Sequence, residues 1–229
     1  MTSTESSIGP NWEPTPRWER RQREVLDAAA TAFAEKGYLG ASTKDIADRL
    51  GVRQASLYYY FSSKEAALAA ICERGVKDFI RNLHGILGST LPISQKIRAA
   101  VANHLMPLRT RPEADYIRVF IRHRHELPDD LRHRIAGLAA EYQNLVERLF
   151  AEGIASGELR ADLDPQRATL AWLGLCNSVI SARRLPEGTS IDALIDDYAR
   201  IFNKGVLQRR RRPASGTAPP APKRKRSPK

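Results

Sequence analysis

The sequence predicts an all-α fold of about nine helices, an N-terminal three-helix domain followed by a larger helical body. Three observations lead there. From Arg17 onward, apolar residues recur at three- and four-residue spacing along almost the whole chain. No window alternates apolar and polar residues with period two. Ser, Thr, Pro and Gly stand where helices should start and stop.

The elements follow in order. Val25, Leu26, Ala29, Ala32 and Phe33 mark a first helix, which Gly37 can end with a left-handed cap. Ser42 and Thr43 supply N-cap chemistry for a short second helix carrying Ile46, Ala47 and Leu50. Gly51 breaks it, Val52 plugs the turn, and a third short helix is expected from about Gln54 to Phe61. Ser62 or Ser63 caps a longer helix from Lys64 through Leu83. Further helices are expected at roughly Ile93 to Leu108, at Ala114 to Arg124, and after Pro128 through Ile154. Pro165 opens a helix whose LAWLGLCNSVI stretch is apolar on nearly every side, and Ile191 to Val206 form the last.

A helix apolar all round must be buried on more than one side. Leu173 and Val179 on that helix, with Ile195 and Phe202 on the last, are therefore the expected interface of a homodimer in which each subunit gives two helices. The alternative is that the apolar helix is the centre of a monomeric core.

At 229 residues the chain can bury a sizeable core, and 42% hydrophobic residues suits a soluble protein. Cys72 and Cys176 are two lone cysteines outside any CxxC pair, which fits a reducing cytoplasm and small core fillers. The N-terminal stretch has no charged region leading into an apolar one, and no apolar run is long enough for a membrane span, so a cytoplasmic protein is expected. The net charge of +11 is misleading. Nine of the 37 basic residues lie in 208–229, which holds no acid, leaving 28 against 26 in the rest. The expected organisation is a disordered leader (1–18), an N-terminal helical domain (19–79), a larger helical body (80–207), and a disordered basic tail (208–229).

The stretch STKDIADRLGVRQASLYYYF, residues 42–61, has the proportions of a helix-turn-helix. With Ile46, Ala47, Leu50, Leu57 and Phe61 packed inside, Arg53, Gln54, Ser56, Tyr58, Tyr59 and Tyr60 are left to face outward. Gln can pair bidentately with adenine, and Arg with guanine or phosphate. Lys64 opens the next helix and could clamp the backbone. Arg17, Arg20 and Arg21 could reach a phosphate or stand as a solvated helix start.

At these residues the sequence strongly resembles the TetR/AcrR family of transcriptional regulators. The resemblance rests on FAEKGY (33–38), TKDIA (43–47), GVRQASLYYYF (51–61) and KEAAL (64–68), and covers about residues 19–79. Arg53 stands where the family often has Ser or Thr, and Ala55 where Gly is frequent. Carried over by position, the resemblance implies that Thr43 donates to a phosphate and that Gln54, Ala55, Ser56 and Tyr59 face base edges. Tyr58, Tyr60 and Lys64 would then hold the backbone. It further implies an all-helical homodimeric body hollow enough for a small effector. Two recognition helices would enter successive major grooves ~34–36 Å apart, at an inverted-repeat operator.

For the effector, His104, Arg109, Arg118 and Arg122 could give an apolar pocket a cationic mouth suited to a fatty acid or an acyl-CoA thioester; the arginines also suit a solvated face. His123, His125 and His133 beside Glu126 lack the i,i+4 spacing of a helical metal site. No phosphate loop, nucleophile elbow or Cys–His pair suggests an enzyme, and no cofactor is expected.

Overall fold

The computed structural model describes residues 15–182 and 187–207. The described residues form α1 (Pro16–Lys36), α2 (Thr43–Leu50), α3 (Lys64–Gly88), α4 (Ile93–Leu105), α5 (Glu113–His123), α6 (Asp129–Ala155), α7 (Pro165–Ser181) and α8 (Ile191–Val206). Short 3-10 helices cover Gln54–Tyr59, Met106–Arg109 and Arg124–Glu126. No strand occurs among the described residues, only an isolated bridge between Leu159 and Leu207. The expected basic tail lies outside the described residues, as does the leader up to residue 14. Pro16, Arg17 and Trp18 are helical, so α1 starts inside the stretch expected as leader. The cause is local: Thr15 accepts a bond from the Trp18 amide, and Pro16 fills the first helical position.

Two apolar cores hold the fold. In the head, Val25, Phe33, Ile46, Leu57, Leu68 and Ile71 are essentially inaccessible. In the body, Leu83, Ile97, Leu105, Leu149, Phe150 and Trp172 are equally buried. α3 runs through the boundary expected at 79/80 without a break. Its Leu68, Ile71 and Cys72 pack in the head, while Val76, Phe79 and Leu83 pack in the body. The head core also takes Tyr116 and Val119 from α5, Leu127, and Ile135 from α6.

Two turns differ from the sequence reading. Gly37 has φ 74° and ψ 158°, an extended mirror region open in practice only to glycine, rather than the left-handed helical one. Gly51, by contrast, is a left-handed cap at φ 64° and ψ 32°. α4 ends at Leu105 rather than near Leu108, because Pro107 cannot continue an α-helical ladder and the chain tightens into the 3-10 turn.

Candidate DNA-binding face and effector cavity

The helix-turn-helix is fixed at both ends by short polar contacts. Ser42 and Asp45 form a reciprocal capping box: the Asp45 amide donates to Ser42 Oγ at 3.1 Å, and the Ser42 amide to Asp45 Oδ2 at 2.8 Å. Lys36 Nζ, at the end of α1, lies 2.6 Å from Asp45 Oδ1. That ammonium and the Ser42 bonds hold the carboxyl well below the usual carboxylate range. After Gly51, the Val52 amide donates back to the Ala47 carbonyl at 3.1 Å.

The recognition element is a 3-10 helix from Gln54 to Tyr59, not the expected helix to Phe61. Its i→i+3 bonds run from Ser56 N–H to Arg53 O at 2.9 Å and from Tyr60 N–H to Leu57 O at 2.8 Å, and an i→i+4 bond from Phe61 N–H to Leu57 O at 3.1 Å closes the exit. Leu57 is fully buried beneath the element, and Phe61 anchors the exit. Tyr58 and Tyr59 are thrown outward, 52% and 66% exposed.

Arg53, Gln54, Ala55 and Ser56 are exposed, and Thr43, Tyr60 and Lys64 are half-buried. Gln54 Nε2 donates to Thr43 Oγ1 at 2.5 Å, joining the start of α2 to the start of the recognition element. Tyr60 meets Tyr59 edge-on at 5.2 Å and lies 6.3 Å from the Trp18 ring. Arg17, Arg20 and Arg21 share a shallow cleft with Trp18 and Tyr60, which brings the start of α1 beside the tyrosines. Lys64 Nζ sits 4.4 Å over the Tyr38 ring.

In the body a cavity of about 160 Å³ lies between α3, α4, α5, α6 and α7. Val76, Ile117, Ile180, His104 and Tyr142 form its buried part, and Arg124 and Gln143 its more exposed part. His104 is the polar centre. Its Nδ1 lies 2.9 Å from Tyr142 Oη and its Nε2 3.1 Å from Asn177 Oδ1. Phe79 stacks on the imidazole at 5.4 Å and Trp172 meets it edge-on at 5.2 Å. Burial pushes the His104 pKa down to about 4, so the ring is neutral near pH 7.

Of the four residues expected around an effector, only His104 is on this wall. Arg109 pairs with Asp192 of α8, Arg118 lies 3.4 Å from the buried Asp115, and Arg122 is exposed. The cation that lines the cavity is Arg124, whose guanidinium covers the Phe120 ring at 4.9 Å and donates to the Phe120 and Ile121 carbonyls. Asn177 and Tyr142 escaped the sequence reading. Asn177 did leave a signal, as a lone amide in an apolar run. Among the described residues no three His, Cys, Asp or Glu side chains cluster as a metal site.

The residues expected at a dimer interface also sit differently. Val179, Ile195 and Phe202 point into the body's own core, and Leu173 lines the cavity. Leu170 and Ile201 instead lie on the outer faces of α7 and α8, 57% and 59% exposed. An all-apolar helix carries no periodic mark of which side faces inward, so its sequence could not separate these sets.

α5 links cavity and head. Ile117, Phe120 and Ile121 line the cavity, while Tyr116 Oη donates 2.8 Å to Asp27 Oδ1 on α1. Desolvation raises the Asp27 pKa, partly offset by that bond. Just before α5, Arg111 lies 3.0 Å from Glu35 of α1, whose other oxygen takes Arg49 of α2 at 2.6 Å.

The comparisons agree with this arrangement. Residues 25–71 match the model of the bacterial regulatory proteins of the tetR family, and residues 90–206 that of the tetracyclin repressor-like C-terminal domain. The chain belongs to the TetR family. It is a DNA-binding transcriptional regulator with a repressor-like body. The HTH-type transcriptional repressor KstR2 of Rhodococcus jostii (strain RHA1) is 29% identical over 197 residues, 81% of this chain and 91% of that protein. Two solved structures share the fold. AibR in complex with isovaleryl coenzyme A and operator DNA has a TM-score of 0.70 at 22% identity, covering 79% of this chain and 97% of that one. FadR from Bacillus subtilis in complex with stearoyl-CoA has a TM-score of 0.67 at 22% identity, covering 80% and 98%. No helix among the described residues is long and apolar enough to cross a membrane.

Proposed function

We propose that the chain is a homodimeric repressor that leaves an inverted-repeat operator when a small amphipathic anion, a fatty acid or an acyl-CoA thioester, enters the body cavity. The observation that carries the reading is α5, which lines the cavity with Ile117, Phe120 and Ile121 and bonds to α1 through Tyr116. A ligand that displaces those three side chains moves the helix that carries Tyr116. The Asp27 and Glu35 contacts then pass the shift to α1 and α2, and with them to the recognition element. Release requires only that the ligand prefer the displaced conformer, with a coupling of typically ~1–3 kcal/mol.

At the operator, Gln54, Ala55, Ser56 and Tyr59 read bases. Thr43, Arg53, Tyr58, Tyr60 and Lys64 hold the backbone. The exposed Leu170 and Ile201 supply the apolar centre of the dimer interface. Arg124 receives the anionic end of the effector, and the apolar cavity its hydrocarbon. The acyl-CoA ligands of AibR and FadR, and the repressor description of KstR2, support the effector class and the direction of regulation.

The test is selection of binding sites from random duplexes, followed by footprinting with and without acyl-CoA. An inverted repeat whose occupancy falls with ligand is expected. Recovery of a single half-site bound by a monomer, or occupancy that ignores every acyl-CoA and fatty acid, would overturn the reading.

A further inference from the structure

The polar groups along the cavity wall, from buried Tyr142 and His104 to half-buried Asn177, have a direction. A neutral imidazole has one N–H and one lone pair. Asn177 Oδ1 can only accept, so the proton sits on Nε2, and Nδ1 accepts from the Tyr142 hydroxyl. Hydrogen bonds thus run one way, from Tyr142 through His104 to the Asn177 oxygen. This uses both ring nitrogens and the Asn177 acceptor. The Asn177 NH2 group has no partner among the described residues, and Asn177 lines the cavity. We propose that this amide is a specificity determinant that donates to a carbonyl oxygen of the effector, so that the cavity selects acyl or keto compounds over analogues without that oxygen. The inference rests on the effector reading above and narrows it to one functional group.

Cavity size sets the scale of the apolar part. An apolar space of ~150 Å³ accommodates a benzene-sized molecule, so about 160 Å³ suits a group of about six carbons. A ligand that fills this space excludes water from the Asn177 amide, and a donor then left unpaired costs more than a missed contact. A ligand lacking the carbonyl therefore meets a penalty as well as a lost bond.

The probes are hexanoyl-CoA and its thioether hexyl-CoA, which differ only in the carbonyl. Both are titrated calorimetrically into the full chain, with operator binding measured in parallel. The wild type should prefer the thioester by roughly tenfold, the worth of one hydrogen bond near a desolvated donor. Asn177→Leu should bind the two alike. Because that change also strands the His104 N–H, Asn177→Asp serves as a second variant. It keeps an acceptor for His104, presents oxygen in place of NH2, and should lose the preference too. The inference is overturned if the wild type binds both probes equally, if neither probe binds, or if both variants keep the thioester preference. These results with operator binding and release by fatty acids intact would count against the carbonyl donor alone. Loss of operator binding by the unliganded wild type would count against the regulator itself.

Discussion

On the head, Arg53, Gln54, Ser56, Tyr58 and Tyr59 stand in solvent on a six-residue element anchored by Leu57 and Phe61. In the body, His104 and Tyr142 are buried and bonded to each other under Phe79 and Trp172. The first set is available because, apart from the bond from Gln54 to Thr43, little holds it. The second is ordered because each group has used its partner. A surface that must meet many sequences before finding one keeps its polar groups free, whereas a chamber that must choose among small molecules commits nearly all of them beforehand.

The largest expected effect comes from burying a charge. Val179→Asp places a carboxylate in the body core and should cost several kcal/mol, on the order of the whole stability of the fold. Leu170→Asp, on the outer face of the same helix, should melt near the wild-type temperature yet sediment as a monomer. Its operator affinity should fall by about a hundredfold or more, as expected when two linked contacts become one. Circular dichroism melting and sedimentation separate the two. A dimeric Leu170→Asp variant would remove α7 from the interface.

Next is the pH dependence of the chamber. The His104 pKa is lowered from 6.5 to about 4, so between these values the unfolded chain binds a proton that the fold refuses. Stability is therefore full above pH 6.5 and falls as pH drops towards 4, by about 3 kcal/mol from this residue. His104→Gln should flatten that part of the denaturation profile by a comparable amount. Parallel profiles for the two proteins would show that the histidine is not held neutral.

On the exposed side the effects are smaller and of another kind. Gln54→Ala should lower operator affinity by ~1–3 kcal/mol while leaving random duplex nearly unchanged. Lys64→Ala should weaken both alike and flatten the salt dependence. Equal losses for Gln54→Ala on both duplexes would remove it from base reading. Smallest in binding, though not in response, is Tyr116→Phe. Operator affinity without ligand should change little, and release by ligand should be blunted by ~1 kcal/mol, within the usual range of coupling. Unaltered release would show that the Asp27 contact carries none of it.

These regions also differ in how much the sequence disclosed. The head is written in local terms: Ser42 three residues before Asp45, Gly51 at a left-handed turn, and Leu57 and Phe61 four apart. Its helices could be read almost residue by residue. Besides the mirror-extended Gly37 and the earlier start of α1, the departure there was the 3-10 form of the recognition element, a choice between i+3 and i+4 bonds that six residues do not settle. In the body the helix order was equally legible, but the lining of the chamber was not. Arg109, Arg118 and Arg122 were expected to give the pocket a cationic mouth, yet Asp192 and Asp115 take two of them, and the third faces water. Which arginine meets the chamber depends on how α5 is rolled against α3 and α6, and packing sets that roll. α7 posed the same difficulty, since every side of it looked fit for burial.

The shared helix α3 limits how this protein can be taken apart. A chimera that carries residues up to 79 onto another body would bring Leu68 and Ile71 but leave behind Tyr116, Val119, Leu127 and Ile135, which complete the head's core. Such a transplant would expose apolar surface on both sides of the cut and should melt early or aggregate. A functional exchange of operator specificity would need to spare that shared packing and swap only the outward residues of 53–59, grafting new letters onto an unchanged frame.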